Sequence, residues 1–183
     1  SKTALDEYRS FLTSKLRPAK RMRIVVDCGN GMSGLIARSL FESAGFDVSV
    51  IFEELDGAFP NRSSEPTEES LTALKGSVSN CVGIAYDGDA DRAVFVDERG
   101  RVLKAEQLAA VMIEDLSKSI KGPIVANVEC TRTIDEVAKK FSLDVERIRV
   151  GHPYLVGESL SMKALIGVED SGHFILPFLL PFG

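Results

Sequence analysis

Asp87, Asp89 and Asp91 alternate with small residues in a hexapeptide that ends in Arg92. Apolar runs of the kind that form strands lie on both sides, so we expect a tight loop between two strands. Because alternate residues of an extended backbone share a face, the three carboxylates can converge on one point. Such carboxylates repel one another unless a cation lies among them. Oxygen ligands without thiolate or imidazole suit Mg²⁺, Mn²⁺ or Ca²⁺ rather than zinc.

Two other interpretations of this loop have to be weighed. An EF-hand that begins at Asp87 would need glycine where Arg92 stands, and it would need helices where the flanks resemble strands. A plain solvated acidic turn is the other alternative. Arg92 favours a ligand site, since a guanidinium beside a divalent cation can take the remaining oxygens of a phosphate group.

Three further loops follow predicted strands. The run Asp27–Gly34 joins a strand to a helix and is either a cradle for an anion or only a tight turn. Glu169–His173 comes directly after an apolar strand, and His152 comes just after the strand predicted at Val145–Val150. The ends of strands are where α/β folds place ligand groups. For both of the latter loops the alternative is a polar turn.

Helical and strand-like patterns alternate along the whole chain. The first half predicts a helix over residues 3–16 and strands on both sides of the acidic loop, with a polar structured loop over 53–67 and a helix over 68–78. A fresh helix at 105–119 then starts a second, similar series. The fold class is therefore α/β, with two consecutive similar α/β domains whose mixed sheets are packed by helices. The predicted boundaries are 1–103 and 104–183.

Composition narrows the classes of function. The chain has 183 residues, 44% of them hydrophobic, a formal net charge of −5 and no tryptophan, which argues against a nucleic-acid partner. Three dispersed cysteines, Cys28, Cys81 and Cys130, suit small core positions and a reducing cytoplasm. The apolar stretch over 174–182 is too short to span a membrane, so no membrane partner is expected.

Taken together, the loops resemble one family. Asp87–Arg92 resembles the magnesium loop of the α-D-phosphohexomutases, usually DGDGDR, and Glu169–His173 resembles their sugar-binding loop, GExSGH. Residues 26–31 and 56–61 resemble two more segments of the family, in its order and rough spacing. The resemblance covers essentially the whole chain. It implies a fragment that corresponds to the second domain and much of the third of a four-domain enzyme, cut short at its C-terminal end.

The resemblance implies a phosphomannomutase or phosphoglucomutase type of isomerase, which moves a phosphoryl group between positions 1 and 6 of a hexose phosphate through a bisphosphorylated intermediate. The catalytic phosphoserine and a phosphate-binding loop would lie in domains 1 and 4, outside this chain, so the fragment alone is expected to be inactive. The roles it implies for single residues are Mg²⁺ binding by Asp87, Asp89 and Asp91; catalysis by Arg92 and His152; and substrate binding by Arg92, Glu169, Ser171 and His173.

The sequence also departs from the family pattern. Ala90 replaces the second glycine of the magnesium loop, which matters if that position needs a positive φ. Glu129 and Val156 stand where many members have lysines, so two positive charges are missing. These departures leave open which sugar is preferred, whether of manno, gluco or glucosamine type.

Two other functions and one further property have to be considered. A non-enzymatic calcium- or sugar-binding module is the main alternative, and a metal-dependent phosphatase would need a nucleophile that only Asp87 could supply. The C-terminal stretch should leave apolar side chains without partners and so favour self-association. Those side chains are Ile175, Leu176, Phe178, Leu179, Leu180 and Phe182.

Overall fold

A computed structural model describes residues 2–16 and 21–179, and the chain divides into two compact units, Ser1–Val102 and Leu103–Gly183. The first unit contains three α-helices and five strands among its described residues. They are α1 (Lys2–Lys15), β1 (Arg23–Asp27), α2 (Ala37–Ser43), β2 (Asp47–Ile51), α3 (Thr72–Ser77), β3 (Val82–Tyr86), β4 (Ala93–Val96) and β5 (Val102–Leu103), with a 3₁₀ turn at Met32–Leu35.

The sheet of the first unit has the strand order β2-β1-β3-β4-β5. β1 pairs in parallel with β2 and with β3, whereas β4 runs antiparallel to β3. Side chains of β1 alternate between the two faces, as the pleat requires. Ile24 and Val26 pack with residues of α2, and Val25 packs with Leu71 and Leu74 at α3. Helices therefore cover both faces of this sheet.

The second unit repeats this plan with four strands. Its elements are α4 (Ala105–Leu116), β6 (Ile124–Asn127), α5 (Thr133–Lys140), β7 (Val145–Ile148), α6 (His152–Ser161), β8 (Ile166–Val168) and β9 (Phe174–Ile175). The order is β7-β6-β8-β9, with β6 parallel to both neighbours and β9 antiparallel to β8. Ile124 and Ala126 pack against α4 and α5, and Val125 packs with Leu155 of α6.

The predicted fold class is confirmed, because each unit is a mixed sheet between helices. The sequence missed the two-residue strands β5 and β9, which are too short to show a period. The helix predicted over 68–78 is shorter, because its first residues form turns in which Ser70 and Thr67 exchange side-chain and backbone hydrogen bonds. Such local bonds compete with helix formation.

The prediction of a bare apolar C-terminal stretch is wrong for its first part. Ile175 is fully buried, because β9 pairs with β8 and carries this side chain into the core. Leu176 packs partly against the core formed by α4 and α5, and Phe178 is exposed. Leu180 and Phe182 lie outside the described residues. Ile175 and Leu176 therefore have partners, Phe178 does not share their burial, and the expected self-association stays a prediction.

The three cysteines are free and buried, as their apolar surroundings predicted. Burial also raises the pKa of the Cys28 and Cys130 thiols to about 11. Over the described part of the chain, no helix combines the length and the apolar character needed to cross a membrane.

The strand that leads into the acidic loop offers a test of its packing. A β-carbon at Gly83 would lie 2.9 Å from Leu74 Cδ1 and from Val78 Cγ1. We expect Gly83→Ala to lower the free energy of unfolding by about 1–3 kcal/mol through overpacking. Gly76→Ala is the matched control, because a β-carbon at this helical position would have nothing within 4 Å. It should raise stability by about 0.5–1 kcal/mol. Urea unfolding followed by circular dichroism measures both, and equal effects would contradict the packing.

Candidate functional site

The acidic loop joins β3 to β4 and closes on itself. Asp87 N–H donates to the Arg92 carbonyl at 3.3 Å, and Arg92 N–H donates to Asp87 Oδ1 at 3.2 Å. One carboxylate oxygen from each of Asp87, Asp89 and Asp91 lies within 4.8 Å of the other two. Asp87 is buried, while the other two aspartates face solvent. The structure thus brings the three predicted carboxylates together, and this all-oxygen donor set fits a hard divalent cation.

Ala90 lies at the tip of this loop with a φ of +67°. This is the left-handed region, where a β-carbon costs roughly 1–2 kcal/mol and glycine costs nothing comparable. Ala90 N–H donates to the Asp87 carbonyl at 3.3 Å, which holds the tip in this conformation. The replacement of glycine by alanine therefore falls on a position that does use positive φ.

Arg92 makes side-chain contacts on both edges of its guanidinium. Its Nε donates to Asp87 Oδ2 at 2.9 Å, so it orients the buried carboxylate. Its two terminal nitrogens donate to the two oxygens of Glu65, Nη1 at 2.6 Å and Nη2 at 2.5 Å. Glu65 belongs to the polar loop between β2 and α3, and sequence reasoning missed its part in the site.

A buried ion pair fixes that polar loop over the ends of the strands. Arg62 Nε donates to Asp27 Oδ1 at 3.1 Å, and its Nη2 donates to the Tyr86 carbonyl at 2.6 Å. Both charged side chains are essentially inaccessible to solvent. Burial raises the pKa of Asp27 above its ordinary value, although the Arg62 charge and the Gly29 N–H act to lower it. The pair spans 35 residues, so no local pattern could reveal it.

The glycine loop after β1 is a tight turn rather than an anion cradle. Its N–H groups already have acceptors within the protein: Gly29 donates to Asp27 Oδ1, Asn30 to the Phe52 carbonyl and Met32 to the Gly88 carbonyl. Asn30 also accepts a hydrogen bond from Asn61 at 2.8 Å. A β-carbon at Gly31 would lie 2.7 Å from the Gly88 carbonyl oxygen. The loop therefore supports the acidic loop by close backbone contact.

The second unit places Glu169 at the centre of a polar cluster beyond the carboxyl end of β8. Its Oε1 accepts from Asn127 Nδ2 and from Gly151 N–H, each at 3.3 Å. Its Oε2 accepts from Ser171 Oγ at 3.0 Å and lies 3.1 Å from His173 Nδ1. Burial acts to raise the pKa of Glu169, but hydrogen bonds from Ser171, Gly151 and His173 outweigh it and lower this pKa. The carboxylate is held in its ionised form.

The two histidines lie side by side in this unit. Their ring centroids are 5.1 Å apart, and the rings are tilted by 57°. Nδ1 of His152 is buried and has no hydrogen-bond partner within the described part of the chain. A buried nitrogen without a hydrogen bond costs desolvation free energy, so His152 makes the folded state less stable than a fully paired side chain would. Glu169, Ser171, His173 and His152 thus lie together in one cluster.

The two positions where many family members have lysines differ in their surroundings. Glu129 is solvent-exposed, two residues beyond the end of β6. Val156 is half-buried and packs against the core that includes Val125 and Leu155. Beside Glu129, Arg147 holds the backbone by donating to the carbonyls of Asn127 and Cys130, at 3.1 and 2.7 Å. Sequence reasoning missed Arg147, because nothing in the sequence shows that this residue of β7 binds carbonyl groups at and after the end of β6.

Two family models match the chain. Residues 5–100 match phosphoglucomutase/phosphomannomutase, alpha/beta/alpha domain II, and residues 104–178 match domain III of the same family. A phosphoglucosamine mutase of Methanococcus maripaludis is 34% identical over 95% of this chain and 41% of its own length. A phosphomannomutase/phosphoglucomutase of Pseudomonas putida is 30% identical over 94% of this chain and 38% of its own length.

Solved structures agree with these matches. The crystal structure of a phosphoglucomutase/phosphomannomutase family protein from Burkholderia thailandensis superposes with a TM-score of 0.84 and 27% identity, covering 93% of this chain and 38% of that one. The chain thus spans about two fifths of the length of these relatives. Because these matches run along nearly all of its residues, the chain belongs to the phosphoglucomutase/phosphomannomutase family of α-D-phosphohexomutases.

Proposed function

We propose that this chain carries the cation-binding and sugar-binding parts of a phosphohexomutase. The reaction is the transfer of a phosphoryl group between positions 1 and 6 of a hexose phosphate, through a bisphosphorylated intermediate. The observation that carries the proposal is the convergence of three carboxylates within 4.8 Å beside an arginine. Family membership supports it, since relatives of this chain are named as mutases of hexose phosphates.

Asp87, Asp89 and Asp91 are the residues that would hold Mg²⁺. When bound, the cation would neutralise negative charge on the transferring phosphoryl group. Arg92 supports the site in two ways, because its Nε fixes Asp87 while its terminal nitrogens point to partners outside the acidic loop. A planar guanidinium with two parallel donors suits a phosphate oxygen pair. We therefore assign Arg92 to the phosphate of the substrate.

We assign the cluster around Glu169 to the sugar. An ionised carboxylate accepts hydrogen bonds from hydroxyl groups more strongly than a neutral acid does. Ser171 and His173 orient this carboxylate and supply further polar atoms for the substrate. His152 is the second catalytic candidate, because its unpaired buried nitrogen adjoins His173.

The remaining parts of the reaction lie outside these residues in this proposal. A phosphoserine that accepts and returns the phosphoryl group, and a loop for the second phosphate, would belong to other domains of a longer protein. Within this chain we propose domains at 1–103 and 104–183. The free buried thiols are compatible with work in a reducing cytoplasm. The relatives' names leave glucosamine-, manno- and gluco-type substrates to be compared by assay.

Activity is the direct test. We expect no turnover of hexose 1-phosphates by the 183-residue chain, because the phosphoryl donor is missing. Correct positioning of donor and substrate can lower an activation barrier by roughly 7–11 kcal/mol, and that contribution is then lost. The longer protein should convert hexose 1-phosphate to 6-phosphate with Mg²⁺, and Asp89→Asn should remove that activity. A coupled assay with all three sugar types measures both.

Asp115→Asn is the matched control, since it makes the same chemical change on an exposed helix, beside Lys118. It should leave turnover unchanged. Turnover by the chain alone, or a fully active Asp89→Asn variant of the longer protein, would refute the roles assigned here.

The identity of the cation separates the mutase from a calcium-binding module. Three carboxylates of one loop fill only part of an octahedral shell, so we expect Mg²⁺ to bind this chain with a dissociation constant on the order of millimolar. Nuclear magnetic resonance titration of the loop amides should show saturable Mg²⁺ shifts that Asp89→Asn removes. A clear preference for Ca²⁺ with tight binding would favour the module instead.

The ionised state of Glu169 predicts a pH dependence. Since its pKa in the folded chain is lowered, Glu169 contributes stability that is present above its unfolded-state pKa, ordinarily 4.5, and is lost as pH falls through the folded value. Unfolding measured at a series of pH values should therefore show that the free energy of unfolding falls more steeply with decreasing pH for the wild type than for Glu169→Gln. Glu158→Gln, an exposed change on α6, is the control and should follow the wild type. Parallel curves for wild type and Glu169→Gln would contradict the lowered pKa.

A further inference from the structure

The outer edge of the Arg92 guanidinium is already occupied. Nη1 and Nη2 donate to Oε1 and Oε2 of Glu65 at 2.6 and 2.5 Å, which is a bidentate pair. Nε is engaged separately, by Asp87 at 2.9 Å. The two nitrogens that the proposed function assigns to a phosphate are therefore the same two that Glu65 holds.

A carboxylate and a phosphate present the same feature to arginine. Each offers two oxygens of one group to the two parallel N–H donors of the guanidinium. The Glu65 carboxylate thus lies where two phosphate oxygens would lie on Arg92. A carboxylate and a phosphate cannot both accept from Nη1 and Nη2 at once, so a phosphate that binds to this edge has to displace Glu65.

The surroundings of Glu65 allow that exchange. Its side chain is 52% exposed and that of Arg92 is 28% exposed, and ion pairs accessible to solvent are weak. Its backbone is held more firmly, since the Glu65 carbonyl accepts from Ser63 Oγ at 2.8 Å. Arg62, three residues before Glu65, is anchored by its buried ion pair with Asp27. The carboxylate can leave Arg92 by side-chain rotation while the loop stays in place.

The geometry points to Glu65 as a resident carboxylate that occupies the phosphate position on Arg92 and is displaced by the phosphate of the substrate. This positioning residue keeps the guanidinium oriented between substrates, while the bond from Nε to Asp87 persists through the exchange. It also weakens the binding of every anion at this edge, because the ligand has to displace a carboxylate first. A phosphate group can do so because it offers the two terminal N–H donors the same pair of oxygens. The inference rests on the proposed function in its assignment of a phosphate to Arg92.

The test follows the Arg92 Nε–Hε signal of the ¹⁵N-labelled chain during titration with inorganic phosphate in buffer that contains Mg²⁺. We expect Glu65→Gln to bind phosphate about two- to fivefold more tightly than the wild type, the range set by a solvent-accessible ion pair. Glu68→Gln is the matched control, because it removes one negative charge three residues away, where Glu68 is near Lys75 instead. It should bind phosphate as the wild type does. In an Arg92→Gln background, Glu65→Gln should bring no gain; this arm is followed by the backbone amides of the acidic loop.

Equal phosphate affinity of Glu65→Gln and Glu68→Gln would overturn the inference, because the gain would then be one of net charge. Weaker binding by Glu65→Gln would also overturn it and would make Glu65 a group that only orients Arg92. An absence of phosphate-dependent shifts in Glu65→Gln would do the same. None of these readings involves a sugar or turnover, so a failure of the mutase proposal would be seen separately, in the coupled assay.

Discussion

The ion pair between Asp27 and Arg62 is the interaction on which the acidic site depends. It joins the last residue of β1 to the polar loop and, through the Tyr86 carbonyl, to the residue that precedes Asp87. Because the pair is buried, its formation costs desolvation that the attraction only partly repays. Removing one partner would leave a buried charge, at a cost of about 3–5 kcal/mol. The pair anchors the polar loop at the carboxyl end of β1 and beside the start of the acidic loop.

The loop that this pair fixes brings several contacts to the acidic hexapeptide. Glu65 reaches Arg92, and a β-carbon at Gly88 would lie 3.2 Å from the ring of Phe59. On the other side, Met32 N–H donates to the Gly88 carbonyl at 2.9 Å. The acidic loop is thus held between two other loops, and its exposed aspartates are displayed from a rigid base.

At the equivalent position the second unit has a neutral amide in place of a charged side chain. Asn127 ends β6 as Asp27 ends β1, and each is completely buried at the carboxyl end of the first strand of its sheet. Asn127 donates to Glu169 and accepts from the Cys130 N–H at 3.1 Å, so one neutral amide ties two loops together. A neutral group avoids the desolvation cost of a charge. Equivalent positions in a repeated topology thus carry different chemistry for one structural task.

Features that are local in sequence could be predicted, whereas features made by the tertiary fold could not. The hexapeptide contains its own carboxylates and its own turn, so their convergence follows from spacing alone. The pairing of Arg62 with Asp27 depends on how a long loop folds back. The burial of Ile175 depends on a two-residue strand that finds β8. Ala90 is an intermediate case, because the sequence shows that an alanine replaces the usual glycine but does not show that its φ is positive.

The hydrogen bonds that close the turn of the acidic loop lie within the loop itself, although other loops hold it from both sides. Its turn is closed by bonds between Asp87, Ala90 and Arg92, all within one short segment of the gene. The cluster around Glu169 is built from a separate sheet in the other unit. A substitution at Glu129 or Val156, in the second unit, therefore leaves the hydrogen bonds that close the turn of the acidic loop unchanged.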